Sequence, residues 1–229
     1  MSLHLKKGRI AGTILLLIFF MGIYIFQVLQ GAVLFGDDYL REAALHRNEL
    51  ISSVLLMILS GMLSILVSVV LLPVFRQYNS SIAVLYISFC LLNFVAIMLD
   101  NVSVVSLLEH STHVTESGGT DTSPLLSQFL YEKHWWTHYF YLIISCFPVF
   151  VLFFMLFQYK LVPRVIAGFG LFAVLSMLVG EIMEIYGYPI GMQMFLPIAL
   201  AQLGLPIWLI IKGFNVPVSI EEEALMVEV

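Results

Sequence analysis

The chain has 229 residues, of which 61% are hydrophobic and 11% are charged, and its mean hydropathy is +1.01. Soluble domains carry about 25% charged residues, so this composition excludes an ordinary soluble protein. The sequence lacks the strand-type alternation of a membrane barrel, and its net charge of -5 disfavours nucleic acid as a partner. We therefore expect an all-α, polytopic integral membrane protein whose surroundings are the lipid bilayer.

Six apolar runs follow one another along the chain, and each is long enough to cross a ~30 Å hydrocarbon core as a helix. We predict membrane spans at residues of about 10–35, 50–72, 82–108, 138–158, 165–186 and 190–212. The polar segment 109–137 has a centre rich in Ser, Thr and Gly, which predicts an outer loop. The whole is interpreted as a single six-helix membrane domain over residues 1–214, with an acidic cytoplasmic tail at 215–229.

Small residues mark two of the predicted spans. Gly8 and Gly12 are four residues apart at the start of the first span, which predicts close approach of another helix. Ser60, Ser64 and Ser68 form a stripe on the second span, and we predict that it packs against a neighbour. Pro73 is expected to end that second span.

The two cysteines, Cys90 and Cys146, both lie in apolar runs. Buried thiols of this kind are usually free, and a disulfide between two helices is the alternative.

The distribution of Lys and Arg predicts the orientation in the membrane. Cytoplasmic loops carry an excess of these residues, and the side that holds the N-terminus carries seven of the 10. Those seven are Lys6, Lys7, Arg9, Arg76, Lys160, Arg164 and Lys212, whereas the opposite side has Arg41, Arg47 and Lys133. Both termini are therefore expected in the cytoplasm, with segment 109–137 outside.

Three motifs along the chain carry a family resemblance. They are Arg9–Gly12 (RIAG), Leu161–Gly168 (LVPRVIAG) and Gly204–Gly213 (GLPIWLIIKG). In their order and spacing the chain resembles the bacterial six-span membrane proteins of domain-of-unknown-function family 4386 (DUF4386). The resemblance implies a location in the bacterial cytoplasmic (inner) membrane. It implies no reaction.

Ionisable side chains within membrane spans are costly and therefore suggest function. Histidines and carboxylates recur at helical spacings near the outer ends of the third, fourth and fifth spans, and these are ligand types that suit zinc. We predict an outward-facing polar or metal site with zinc as the candidate cofactor. Its residues are His110, His134, His138, Glu181 and Glu184, with Asp100 as a further buried polar group.

The competing interpretations include an ordinary interfacial belt of polar and aromatic residues. A second and weaker resemblance, to the alkaline ceramidase and adiponectin-receptor hydrolases, rests on Ser106, His110, His134, His138 and Asp100. It implies a zinc-dependent intramembrane hydrolase acting on a lipid or an amide. A sensor, a partner subunit, a small-solute transporter and a haem protein also fit the pattern.

Overall fold

A computed structural model describes residues 3–34, 36, 38–118 and 123–215, and this part of the chain is helical and contains no strand. A π-helical turn, Ile25–Gln30, follows the first helix, and a 3-10 turn, Met192–Phe195, precedes the last. The helices are α1 (Leu3–Tyr24), α2 (Gly31–Leu34), α3 (Tyr39–Leu45), α4 (Arg47–Arg76), α5 (Ser80–Glu116), α6 (Pro124–Gln158), α7 (Arg164–Ile185) and α8 (Leu196–Lys212).

Six helical segments are long and apolar enough to cross a membrane, which confirms the predicted number of spans. Their outer faces carry large exposed apolar side chains such as Leu55, Leu99 and Phe172. An exposed apolar surface of this extent on a monomer is unfavourable in water, so these faces are expected to contact lipid. The chain is a multi-pass helical membrane protein.

The six spans close into a ring. From α4 to α8 each span packs against the next one along the chain, and α1 packs against both α4 and α8. Short connections favour such neighbours, because adjacent elements in the chain usually pack side by side. The contact between α1 and α8 closes the ring.

Glycines make the contact between α1 and α8 close. A Cβ added at Gly12 would lie 2.8 Å from the carbonyl oxygen of Pro206, and one at Gly8 would lie 2.9 Å from the Cα of Gly213. The guanidinium of Arg9 donates a 3.1 Å hydrogen bond to the carbonyl of Ile210. The predicted close approach of a helix at Gly8 and Gly12 is thus confirmed.

The third family motif ends beside the second. The amide of Asn215 donates a 2.8 Å hydrogen bond to the carbonyl of Leu161, and Phe214 packs in the same core cluster as Val162. All three motifs therefore meet at one end of the bundle, where they hold the first and last spans together.

The structure differs from the predicted loop at 109–137, because most of that segment is helical. Helix α5 continues to Glu116, and α6 already begins at Pro124 with the side chain of Ser123 accepting a hydrogen bond from the amide of Leu126. The polar residues are compatible with helix because they face partners: the Ser111 hydroxyl donates to the carbonyl of Leu40 in α3. Low hydropathy marked the end of the apolar stretch and not the end of the helix.

The position of Pro73 also differs from the prediction. It lies inside α4, which ends three residues later at Arg76. The chain turns where Asn79 begins α5 by accepting a 3.0 Å hydrogen bond from the amide of Ile82.

Other expectations about single residues have mixed outcomes. Ser64 and Ser68 face Cys90 on the neighbouring helix α5, as the predicted packing of the stripe requires, and Ser60 and Ser64 also line a cavity. Cys90 and Cys146 are buried free thiols, so the disulfide alternative is wrong. The acidic tail lies outside the described residues from 216 onward, as do residues 119–122.

Candidate functional site

Three buried ionisable side chains meet between α5 and α6. Asp100 comes from α5, and His134 and His138 lie one helical turn apart on α6, so the two imidazoles share a face. The Nδ1 atom of His134 is 3.4 Å from Oδ1 of Asp100, and the Nδ1 atom of His138 is 3.4 Å from Oδ2. Asp100 and His134 are each 1% exposed and His138 is 6% exposed. We call these three residues the Asp-His-His group.

Two hydroxyl groups complete its surroundings. The Thr137 hydroxyl lies 3.2 Å from Oδ1 of Asp100 and 2.7 Å from the hydroxyl of Ser103. The Ser103 hydroxyl also lies 3.2 Å from Nδ1 of His134. One hydroxyl bonds the carboxylate, the other bonds an imidazole, and the two bond each other, so this chain of contacts restricts the rotation of Asp100 and His134.

Chemically, the group can hold a metal ion. One ligand atom from each of the three residues lies within 4.8 Å of the others. Carboxylate and imidazole are ordinary ligands for zinc and other transition metals. His134 and His138 are both buried in the bundle and do not face lipid.

The remaining predicted site residues are not members of the Asp-His-His group. Nε2 of His110 is 2.8 Å from the hydroxyl of Ser127, a contact near the C-terminal end of α5. Oε1 of Glu184 accepts a 2.8 Å hydrogen bond from the amide of Ile190 and so braces the turn before the last span. Glu181 is 1% exposed on α7. The structure therefore brings Asp100, His134 and His138 together and separates His110 from them.

Inside the ring of spans is a cavity of about 810 Å³. All six spans contribute to its wall, which is mostly apolar. The wall also holds several polar side chains, namely Gln27, Ser60, Ser64, Tyr86, Asn93, His138, Tyr139, Tyr141, Ser145, Glu181, Glu184 and Gln202. His138 thus belongs both to the Asp-His-His group and to the cavity wall, and it joins the two.

The π-helical turn after α1 shapes one side of this cavity. The turn places Phe26 and Gln27 in the wall, and the ring of Phe26 meets the imidazole of His138 edge to face with centroids 5.6 Å apart. Gln30 in the same turn donates a 2.9 Å hydrogen bond to Ser53. Single π-helical turns inside α-helices occur frequently at functional sites.

Several of these residues were not among the sequence-predicted set. Ser103 is three residues after Asp100, and Thr137 is three residues after His134, so helical spacing alone places both hydroxyls on the site face. That signal was present in the sequence. No pattern of the first span announces the π-helical turn, because hydropathy is the same for either kind of helix.

Comparison with known proteins identifies the family of this chain and no activity. Neither curated proteins nor solved structures gave a significant match to this chain. Residues 10–213 match the model of the family described as Domain of unknown function (DUF4386). Since that match covers nearly the whole chain and all of the three motifs except Arg9, the protein belongs to the DUF4386 family.

Proposed function

We propose that the protein is a membrane-embedded metal protein in which Asp100, His134 and His138 hold a divalent transition metal, with zinc as the first candidate. The convergence of three ligand-type side chains in one buried group carries this proposal. Ionisable groups at membrane depth are rarely retained without a partner or a task.

The spacing of the ligand atoms supports coordination. A hydrogen bond between nitrogen and oxygen usually spans about 2.7–3.2 Å, so the two 3.4 Å separations are long for such bonds. Around a tetrahedral zinc ion with bonds of about 2.0–2.1 Å, neighbouring ligand atoms are about 3.3 Å apart. The distance from each imidazole to its nearer carboxylate oxygen is close to that value, with His134 facing Oδ1 and His138 facing Oδ2. Ser103 and Thr137 would orient the ligands from outside, as hydrogen-bond partners of metal ligands commonly do.

The number of ligands favours a reactive site over a purely structural one. Structural zinc sites usually have four protein ligands, whereas catalytic sites have three and leave one position for water or substrate. Three protein ligands are present here, and His138 also faces the cavity. A metal in this position would polarise a carbonyl or lower the pKa of bound water, which favours hydrolysis of a lipid or an amide as the reaction class.

The group differs from the three-histidine set that the hydrolase resemblance implied. Asp100 stands where a third histidine would be needed, and His110 is bonded to Ser127 instead. The hydroxyl of Ser106 donates to the carbonyl of Val102 in its own helix. The proposed reaction class therefore rests on the Asp-His-His group itself.

A metal-free role in sensing or solute binding is the second candidate, and one observation favours it. Asp100 already accepts a hydrogen bond from Thr137 and pairs with both imidazoles, so its charge is balanced if one of them is protonated. Such a network would make the group a fixed polar element of the cavity wall.

Elemental analysis of the purified protein separates these two candidates. The wild-type chain should retain stoichiometric metal, while Asp100→Asn and His134→Ala should lose it. His113→Ala is the matched control, because that histidine is exposed on α5. Four-coordinate Co²⁺ added to the metal-free protein should give intense visible absorption in the control and not in the other two variants. A wild-type protein that neither contains metal nor binds added Zn²⁺ or Co²⁺ would exclude the metal centre.

We also propose that the chain resides in the bacterial cytoplasmic membrane with both termini inside. The asymmetry of Lys and Arg supports this orientation. Glu116 is exposed at the C-terminal end of α5, and Gln77 is exposed in the turn between α4 and α5. Both native cysteines are buried, so single cysteines at these two positions report the topology. A membrane-impermeant maleimide added to intact cells should label Glu116→Cys and not Gln77→Cys. The reverse pattern would invert the orientation.

A further inference from the structure

Glu181 is the buried charged group for which the fold offers least explanation. Its side chain lines the cavity, and its Oε2 atom is buried without a hydrogen-bond partner among the described residues. An ionised carboxylate that is removed from water without a partner is strongly destabilised. Something that donates hydrogen bonds or carries positive charge is therefore expected beside it.

The cavity wall does not supply that charge. None of the described residues that line the cavity is Lys or Arg. Glu184 adds a second carboxylate to the wall one turn after Glu181, and like charges at this spacing repel. His138 lies in the same wall, but its Nδ1 faces Asp100. A cation that compensates an ionised Glu181 would therefore come from a molecule that enters the cavity.

The rest of the wall indicates what kind of molecule that is. Its mostly apolar surface includes the rings of Phe26, Tyr141 and Phe153, which suit the body of an apolar or amphipathic compound. A volume of about 810 Å³ lies in the range of about 300–1,000 Å³ that holds drug-sized ligands. Oδ1 of Asn93, also buried and without a hydrogen-bond partner among the described residues, is a second acceptor in the wall.

Hydrogen-bond acceptors in the wall select among cations. A protonated primary amine carries three N–H donors and can satisfy a carboxylate oxygen directly. A quaternary ammonium has no N–H donor, and a small inorganic cation would leave the apolar wall uncovered. We propose that the cavity binds an amphipathic primary amine, with the ammonium group on Glu181 and the apolar body along the ring-lined wall. This site goes beyond the proposed metal centre and does not require it.

Binding of octylamine to the full chain in nanodiscs of zwitterionic lipid tests the proposal. Heat of binding is measured by titration calorimetry after subtraction of empty nanodiscs. Octylamine should bind saturably, while octanol and octyltrimethylammonium should bind at least tenfold more weakly, because one lacks the charge and the other lacks N–H donors. This comparison uses wild-type protein alone and therefore needs no variant to fold.

Variants then locate the amine. Glu181→Gln should weaken octylamine binding at least tenfold, since a charged hydrogen bond is lost. Glu132→Gln is the matched control, because it removes the same charge from an exposed position on α6 and should bind as the wild type does. His134→Ala should lose metal and keep octylamine binding, so failure of one proposal is distinguishable from failure of the other.

Three results would overturn the amine site. Equal binding of octylamine and octanol would mean that the cavity does not recognise charge. Wild-type affinity in Glu181→Gln would place the ammonium elsewhere. The third result combines two measurements: the wild type shows no saturable octylamine binding, and Glu181→Gln lacks a stoichiometric metal ion that the wild type contains. It would show that Glu181 is a ligand for an inorganic cation.

Discussion

Replacing Gly12 with Ala should loosen the contact that closes the ring of spans. The added Cβ would lie 2.8 Å from the carbonyl oxygen of Pro206 and 3.0 Å from the Cβ of Leu209. Real Cβ atoms do not approach other atoms this closely, so α1 and α8 must move apart. Overpacking of this kind costs about 1–3 kcal/mol, while replacing Gly by Ala inside a helix contributes about 1 kcal/mol in the opposite direction.

Gly22 supplies the control for that offset. It lies in the same helix, and a Cβ added there would meet nothing within 4 Å. Gly22→Ala should therefore gain the helix-propensity term without the clash, by up to about 1 kcal/mol. The difference between the two variants isolates the cost of the contact, which we expect to be about 1–3 kcal/mol.

Thermal unfolding in a single detergent, followed by tryptophan fluorescence, measures this difference. For a chain of this size about 2–4 °C separates two variants per kcal/mol, so Gly12→Ala should melt several degrees below Gly22→Ala. If Gly12→Ala melts at or above Gly22→Ala, the two helices do not need their close approach and the account of the ring closure is wrong.

Three further predictions concern other parts of the bundle. Asn79→Ala removes the hydrogen bond to the amide of Ile82 and should cost about 1 kcal/mol in thermal unfolding; an unchanged melting temperature would show that α5 needs no cap there. Ser64→Leu places a larger side chain in the cavity wall, so octylamine binding should weaken while the melting temperature stays near that of the wild type; the opposite pattern would mean that the larger side chain disturbs the contact with α5 and not the cavity. Burial, with a smaller contribution from Tyr131, raises the pKa of Tyr39 above its ordinary value of 10.0. The folded chain then holds this proton more tightly than the unfolded chain, so stability should fall as the pH rises above 10 and Tyr39→Phe should reduce that loss, as denaturant titrations at pH 9 and 11 would show.

Hydropathy was sufficient for the number of spans, because the cost of burying polar groups in lipid depends on composition and length. It was insufficient for helix ends. Helix α5 runs from Ser80 to Glu116 and so extends beyond the predicted 82–108, since a helix can continue into polar surroundings once its side chains find partners such as Leu40 and Ser127. Only the side chain of Ser123 before Pro124 marked the true start of α6 in the sequence.

The candidate site was predictable in part for a similar reason. Helical spacing places His134 and His138 on one face, and the depth of Asp100 marked it as a residue with a task. The sequence could not tell that Asp100, and not His110, meets the two imidazoles. That choice depends on the relative height of α5 and α6, which is set by packing along their length.

Closure of the ring has a consequence for biosynthesis. The glycine face of α1 packs against α8, which leaves the ribosome after the other five described spans. At about 5–20 residues per second, synthesis leaves α1 without this neighbour for roughly 10–40 s. During that interval the first span is free to meet other helices in the membrane, and chains truncated before α8 would keep this face open to such encounters. Gly8 and Gly12 allow close helix packing in the folded protein. Before α8 is made, they also form a surface that a membrane chaperone or a misassembled partner would contact.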